Sequence, residues 1–207
     1  MPKPLLILLT KNARPGHVKL RLAADVGDQE ACRVYQALLK RAYHITAGLQ
    51  LPKIIYYDLY IDDRDHWDNY VYVKALQQGD QLGERMQHAF QQGFTRGYSP
   101  VMAVGTDCPA LTQDLIYQAQ ELLKTHDYVV GPTEAGGYYL LGMNQPTPGL
   151  LLNRYWQQGM LLQHTLDHIA ALGATVAMLP TLRDVGALED LDWYRNHPDR
   201  QTLLPGY

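Results

Sequence analysis

Hydrophobic and polar positions fall into two patterns along the chain. Short continuous apolar runs are typical of strands covered on both faces of a sheet, and apolar residues at every third or fourth position are typical of helices. Strands are predicted in segments 4–10, 53–60, 70–76 (a shorter strand or a sheet edge), 100–106, 127–133, 137–143 and 174–180. Helices are predicted over 34–49, from about Leu82, over 113–126 with Thr112 as N-cap, over 161–172 and over 188–195.

This alternation of strands and helices predicts an α/β fold. We expect a single-domain, three-layer α/β/α arrangement around a mostly parallel twisted sheet. The domain is predicted to cover residues 1–196, and 197–207 to form an irregular C-terminal tail. Ligands of such sheets bind at the carboxyl ends of the strands, and most of the chemically suggestive segments fall there.

Composition narrows the classes of partner. The net charge of −3 gives no positive field for nucleic acid or an anionic membrane. The two cysteines suggest neither a disulfide framework nor a metal cluster, and the apolar run at 5–9 is too short for a signal peptide. We therefore expect a cytoplasmic protein without nucleic-acid or membrane partners, and a homodimer stays open.

The segment "KNARPGHVKLRL" follows the first predicted strand. It places Lys11, Arg14, Lys19 and Arg21 around a turn at Gly16, an arrangement suited to a di- or triphosphate. It matches neither the Walker A pattern nor G-x-G-x-x-G. The alternative is a solvated basic loop.

The segment "AVGTDCPAL" ends a buried strand in Thr106 and Asp107, and "RDVGALEDL" places Asp184 just past another strand. One or two carboxylates with phosphate and water oxygens suit Mg²⁺ or Mn²⁺. The alternative for Asp107 is an Asx-type turn or a capping contact.

Two glycine-rich segments are less specific. In "GPTEAGGYYLLG", Glu134 precedes two glycines that indicate a tight hairpin or a close approach to a ligand. In "QGDQLGERM", Gly83, Glu84 and Arg85 open a helix, where dipole or capping contacts are the alternative.

Two further patterns favour structure over chemistry. The segment "HTLDH" departs from the zinc-binding H-E-x-x-H pattern at position 165, so we do not expect zinc there. The fifteen tyrosines are interpreted as packing residues and not as a base-stacking platform.

These segments together resemble a bacterial family of glycosyltransferase-A-like (GT-A-like) proteins, some described as nucleotide-diphospho-sugar transferases. Its members carry "AKAPVPGKVKTRL", "GDLGERM", "GSDCPGL", "GPAEDGGYYLIG" and "RDVDTPEDL" in the same order, and the resemblance runs from Leu5 to about Leu191. Its relatives include guanylyltransferases and cytidylyl- or molybdopterin-type nucleotidyltransferases. The resemblance implies a nucleotide-diphospho-sugar transferase (GT-A, Rossmann-like) fold.

The resemblance also implies roles for individual residues. A nucleotide and its phosphates would contact Lys11, Arg14, Gly16, Lys19, Arg21, Gly83, Glu84, Arg85 and Thr106. The substrate pocket would include Gly136, Gly137 and Tyr138. Asp107 and Asp184 would hold Mg²⁺ or Mn²⁺, and Asp107, Lys19 and Glu134 would be catalytic.

Four positions depart from the family pattern. His17 replaces a lysine, Leu20 a threonine, and Ala135 and Gly186 each an aspartate. Three hypotheses follow: a metal-dependent transferase using a nucleotide or nucleotide-diphospho-sugar, a nucleotidyltransferase activating a small phosphorylated acid, or a catalytically impaired nucleotide-binding or regulatory protein.

Overall fold

A seven-stranded, mostly parallel sheet forms the centre of the computed structural model, which describes residues 2–152 and 159–204. The strands are β1 (Leu5–Thr10), β2 (Lys53–Tyr57), β3 (Val73–Leu76), β4 (Val101–Val104), β5 (Tyr128–Pro132), β6 (Tyr138–Met143) and β7 (Val176–Met178). Their order is β3-β2-β1-β4-β6-β5-β7. Strand β6 alone among these seven runs antiparallel to both of its neighbours.

Helices cover both faces of the sheet. They are α1 (Leu20–Val26), α2 (Asp28–Thr46), α3 (Leu82–Thr95), α4 (Gln113–Leu122), α5 (Leu161–Ala171), α6 (Leu188–Arg195) and α7 (Arg200–Leu203). Alternate residues of β1 point to opposite faces, so that Leu6 packs in one core cluster with α2 and α4. The next residue, Ile7, packs in a second cluster with α3 and α5. The predicted three-layer α/β/α fold is thereby confirmed.

The predicted elements are confirmed with shifted boundaries. Segment 70–76 begins as a strand only at Val73 and lies at the sheet edge. Thr112 caps α4, because its hydroxyl accepts the Leu115 N–H at 3.3 Å. The short helix α1 inside the basic segment was not predicted, since glycine, proline and charged residues obscure its periodicity.

The prediction of an irregular C-terminal tail is wrong within the described residues. Residues 200–203 form α7, and Leu204 is buried in a third cluster with Leu22 of α1 and Tyr194 of α6. The burial of Leu204 provides the driving force that holds this short helix in place. Residues 205–207 lie outside the described part.

The topology brings distant segments to one edge of the sheet. The parallel strands β1, β2 and β4 all end there, and β6 begins there because it runs the opposite way. The chain order reverses between β1 and β4, which is where α/β sheets place their ligands. The bridge between Thr133 and Leu182 carries the segment after β7 to the same edge.

Candidate functional site

A cleft of ≈ 740 Å³ opens at the carboxyl ends of β1 and β4. It brings together nine of the residues predicted from the sequence: Lys11, Lys19, Arg21, Arg85, Thr106, Asp107, Gly137, Tyr138 and Asp184. These residues belong to segments that are far apart in the sequence. The cleft therefore forms only when the fold brings these segments together.

An ion pair joins the two sides of this cleft. Lys19 Nζ lies 2.8 Å from Asp107 Oδ1 and also donates to the Val185 carbonyl oxygen at 2.6 Å. The Lys19 side chain is 7% exposed, whereas that of Asp107 is 48% exposed. The lysine is thus fixed inside the cleft, and its carboxylate partner faces solvent.

The backbone at Lys19 is itself unusual. Its φ of 50° and ψ of 46° lie in the left-handed region, where residues with a Cβ are disfavoured. Among residues 2–152 and 159–204, Lys19 alone combines a side chain with positive φ. This conformation begins α1 and turns the lysine towards Asp107, which is a strained geometry often found at functional positions.

A second carboxylate, that of Asp184, lines the cleft near Asp107. Burial raises the pKa of Asp184, and the negative charge of Asp107 raises it further. Cys108 is buried beside them, and desolvation followed by the charges of Asp184 and Asp107 raises the pKa of its thiol. The thiol is consequently protonated at neutral pH, which argues against a nucleophilic role.

The start of the basic loop is held by Tyr35 of α2. Its hydroxyl accepts the Lys11 backbone N–H at 2.9 Å and shares a hydrogen bond of 3.1 Å with Thr10 Oγ1. Burial, and then the charge of Asp107, raises the pKa of Tyr35 to about 12. The phenol therefore stays neutral and acts as a fixed hydrogen-bonding group.

Gln77 and Arg85 also line the cleft. Gln77 Nε2 donates to the carbonyl oxygens of Thr10 at 2.7 Å and Tyr56 at 3.0 Å, which ties the ends of β1 and β2 together. Arg85 Nε donates to the Gly79 carbonyl oxygen at 2.9 Å, and its Nη1 donates to Gln77 Oε1 at 3.4 Å. A guanidinium has five N–H donors, so Arg85 retains donors for a ligand.

Six predicted residues do not line the cleft: Arg14, Gly16, Gly83, Glu84, Glu134 and Gly136. Glu84 caps its own helix, because its Oε2 accepts the backbone N–H of the N-cap residue Gln81 at 3.3 Å and that of Asp80 at 2.8 Å. Gly83 is buried in the same first turn. The capping alternative thus describes what Glu84 contacts in this structure.

Gly16 and Arg14 belong to the turn that precedes Lys19. The His17 N–H donates to the Arg14 carbonyl oxygen at 3.1 Å, and Gly16 has a φ of 76°. The buried Nε of Arg14 has no hydrogen-bond partner within the described residues. The turn needs Gly16 for its conformation.

Gly136 and Gly137 have different surroundings. Gly136 has a φ of 81°, and a Cβ there would lie 2.0 Å from the Gly159 carbonyl oxygen. Gly137 lines the cleft, and its N–H donates to Thr133 Oγ1 at 3.2 Å. Gly136 therefore permits close backbone packing, and Gly137 faces the site.

Glu134 is held outside the cleft by an arginine. Arg183 Nε donates to Glu134 Oε2 at 2.8 Å, and another nitrogen of Arg183 lies 3.6 Å from Asp190 Oδ1. Asp190 Oδ2 in turn accepts the N–H groups of Gly186 and Ala187, at the start of α6. These contacts fix the segment that carries Asp184.

The donor set of the cleft fits a divalent cation with oxygen ligands. Asp107 is half exposed, and the raised pKa of Asp184 partly reflects a like-charge repulsion that a cation would relieve. The described residues contain no group of three or more metal-ligating side chains. A hard cation here would depend on phosphate and water oxygens, as Mg²⁺ and Mn²⁺ commonly do.

Sequence reasoning missed the residues that hold the site together. Tyr35, Gln77 and Arg183 make the contacts described above, and the sequence patterns singled out none of them. Asn12 is also missed: it is buried, and its side chain bonds the backbone of Leu59 and Tyr60. A short polar residue inside a basic segment was the only signal for Asn12.

The fold and the cleft define the class of protein to which this chain belongs. This is a GT-A-like α/β domain, a fold found in nucleotide-diphospho-sugar transferases and nucleotidyltransferases. Residues 51–158 match the bacterial family described as "Uncharacterized protein conserved in bacteria (DUF2064)", and the chain belongs to this family. The resemblance inferred from the motifs is thereby confirmed. A search of curated proteins gave no match.

Solved structures share the fold of this chain. A protein from Desulfovibrio desulfuricans G20, provisionally assigned as a nucleotide-diphospho-sugar transferase, is 30% identical with a TM-score of 0.85, over 97% of this chain and 91% of its own. Rv0371C from Mycobacterium tuberculosis H37Rv, solved with manganese, is 14% identical with a TM-score of 0.51, over 93% and 97% of the two chains. CMP:2-keto-3-deoxy-manno-octonic acid synthetase with CTP is 11% identical with a TM-score of 0.50, over 93% and 97%. The last two likenesses concern the fold alone.

No helix among residues 2–152 and 159–204 has the length and apolar character needed to cross a bilayer. The cytoplasmic location stays a prediction.

Proposed function

We propose that the chain is a metal-dependent transferase that uses a nucleotide or nucleotide-diphospho-sugar. The observation that carries this proposal is the Lys19–Asp107 pair, in which a nearly buried cation contacts a half-exposed carboxylate at the sheet edge. The cations of Lys11, Arg21 and Arg85 line the same cleft. A diphosphate is the simplest ligand that satisfies these cations while bringing a metal to the carboxylates.

The reaction would be attack by an acceptor group at an anomeric carbon, which releases a nucleoside diphosphate, or at an α-phosphorus, which releases pyrophosphate. An ammonium group has three N–H donors, and Lys19 uses two for Asp107 and Val185. The third can stabilise a phosphate oxygen as negative charge develops on the leaving group. Asp107 and Asp184 would hold Mg²⁺ or Mn²⁺, which would supply further charge neutralisation.

The relatives support this proposal at the level of class. The Desulfovibrio protein shares most of its length with this chain, the mycobacterial protein was solved with manganese and the synthetase with CTP. Sugar transfer and nucleotidyl transfer share the phosphate and metal requirements described here. The nucleotidyltransferase alternative draws on the compact basic loop that contains Lys19 and Arg21.

A nucleotide-binding protein without turnover is the second candidate. Gly186 lines the cleft close to Asp184, at a position where the family pattern has an aspartate. Ala135 likewise replaces an acidic residue near the hairpin between β5 and β6. With these carboxylates absent, nucleotide binding could persist while group transfer is lost.

A thermal-shift screen tests the proposal directly. The purified chain is heated with nucleoside triphosphates or nucleotide sugars, each with and without Mn²⁺, because a ligand of the native state raises its apparent stability. Stabilisation that requires both the nucleotide and the metal supports the transferase. Stabilisation independent of metal supports the second candidate, and no stabilisation by any compound rejects both.

A further inference from the structure

A second cavity lies beside the segment that follows β1. It measures ≈ 470 Å³, which is within the range of small-molecule sites. Its aromatic lining consists of Tyr43, His44, Tyr57, Tyr60, His66 and Trp67, and we call it the aromatic cavity. Thr10 and Lys11 line both this cavity and the cleft, so the two spaces adjoin.

The rings around the cavity are packed against one another. The centroids of Tyr43 and Trp67 lie 5.9 Å apart at 82°, and those of Tyr43 and His66 lie 5.6 Å apart at 83°. Trp67 is only 2% exposed, which anchors its loop in the core. Tyr60, by contrast, is 49% exposed and offers a ring face to a ligand.

The loop over the cavity is long and well tied. Residues 58–72 connect β2 to β3 without a strand or helix, and connections of this length are usually either functional loops or linkers. Asn12 Nδ2 donates to the Tyr60 carbonyl oxygen at 3.1 Å, and Asn12 Oδ1 accepts the Tyr60 N–H at 3.2 Å. These bonds hold Tyr60 at the cavity through its backbone.

The charges at the cavity favour an anionic substituent. Lys11 and Lys40 both line it. The carboxylate of Asp65 is neutralised by Lys74, whose Nζ lies 2.8 Å from Asp65 Oδ1. The remaining carboxylate, that of Asp62, accepts the Arg64 backbone N–H at 2.9 Å. An anionic substituent therefore fits beside Lys11 and Lys40, and not beside Tyr57, whose pKa is raised by burial and then by the carboxylates of Asp65, Asp62 and Asp63.

We propose that the aromatic cavity binds a planar aromatic ring that carries a negative charge. The ring stacks on Tyr60 and Tyr43, and its anionic group lies near Lys11 and Lys40. The ring has two sources: the base of a nucleotide whose phosphates occupy the cleft, or a separate aromatic acid or phosphate. The first source rests on the proposed function, and the second does not.

Isothermal titration calorimetry of the full chain separates these sources. The ligands are the four nucleoside triphosphates, inorganic tripolyphosphate, which has no ring, and phenyl phosphate. Tyr60→Ala removes the ring, Tyr60→Phe keeps it, and Tyr70→Ala is the control, since Tyr70 is fully exposed and does not line the cavity. Circular dichroism of each variant checks that it is folded.

If the aromatic cavity binds a ring, Tyr60→Ala should lower the affinity for ring-bearing ligands by about tenfold, a loss typical of stacking. The affinity for tripolyphosphate should change by less than about twofold. Tyr60→Phe and Tyr70→Ala should match the wild type. A loss confined to nucleotides identifies the base as the ring. Phenyl phosphate that binds alongside tripolyphosphate, and is lost in Tyr60→Ala, identifies a separate ligand.

Two results overturn the ring site: no ring-bearing compound binds the wild type, or Tyr60→Ala binds all of them unchanged. Failure of the proposed function looks different. In that case tripolyphosphate and nucleotides do not bind, while phenyl phosphate binding and its dependence on Tyr60 decide the ring site separately.

Discussion

Lys19 Nζ contacts Asp107 Oδ1 at 2.8 Å across the cleft, and it does so from a left-handed backbone conformation. The same ammonium group bonds the carbonyl oxygen of Val185, immediately after Asp184. One side chain thus connects the basic loop with the two segments that carry the acidic residues. This junction is the centre of the proposed site.

The left-handed conformation of Lys19 can be tested by a matched pair of substitutions. Lys19→Ala and Lys19→Gly remove the same charge, so both should weaken triphosphate binding to a similar extent. Because glycine tolerates positive φ, Lys19→Gly should be more stable than Lys19→Ala by ~1 kcal/mol in urea unfolding. An alanine variant as stable as the glycine variant would mean that the strain is absent.

Asp184 should make stability depend on pH in a defined direction. Its folded-state pKa is raised, so the native state binds its proton more strongly than the unfolded state, and ionisation costs stability as the pH rises above the ordinary aspartate range. Asp184→Asn should therefore raise the melting temperature at pH 7, by about 2 °C for a chain of this size. The difference should shrink towards pH ~4, the ordinary aspartate range, and a difference that grows on acidification would contradict this account.

The two glycines of the β5–β6 turn should respond differently to alanine. Gly136→Ala places a Cβ against the Gly159 carbonyl oxygen at positive φ, so it should lose about 3 kcal/mol or more of unfolding free energy. Gly137→Ala meets only Thr133 Oγ1 at 3.4 Å and should fold normally while weakening ligand binding in the cleft. Chemical denaturation and calorimetry measure the two effects. Equal stability of the two variants would refute the distinction.

Glu134 contacts Arg183 and does not line the cleft, so its removal should leave ligand binding intact. For Glu134→Gln we expect nucleotide affinity within about twofold of the wild type, because the substitution changes no group that lines the cleft. The fold should also be kept, since an exposed ion pair contributes little to stability. Fluorescence titration with a labelled nucleotide measures this. A loss comparable to that of a Lys19 variant would instead support the catalytic role predicted for Glu134 from the family resemblance.

The sequence predicted the sheet and nine of the residues that line the cleft, because these follow local rules. Buried strands are continuously apolar, and the ends of such strands carry Lys11 and Asp107 towards one edge. It could not predict which glycine faces the cleft, since Gly136 and Gly137 differ only in what packs against them. It also could not predict the role of Tyr35, because that role depends on a contact between α2 and the loop after β1.

The aromatic cavity could not be predicted from the sequence either. Tyrosines spread through the sequence were interpreted as packing residues, and Tyr43 does pack against Trp67. The cavity arises only when α2 and the loop 58–72 come together around the end of β1. No local sequence pattern specifies this contact between α2 and the loop.

The most direct test of the central claim is calorimetric titration of a nucleoside triphosphate in the presence and absence of Mn²⁺, with the wild type and Asp107→Asn. Asp25→Asn is the control, because Asp25 is exposed on α1 and does not line the cleft. We predict that Mn²⁺ strengthens nucleotide binding to the wild type and to Asp25→Asn by at least about tenfold, and leaves binding to a folded Asp107→Asn unchanged. Equal enhancement by Mn²⁺ in Asp107→Asn, or none in the wild type, would contradict a metal-dependent nucleotide site at Asp107.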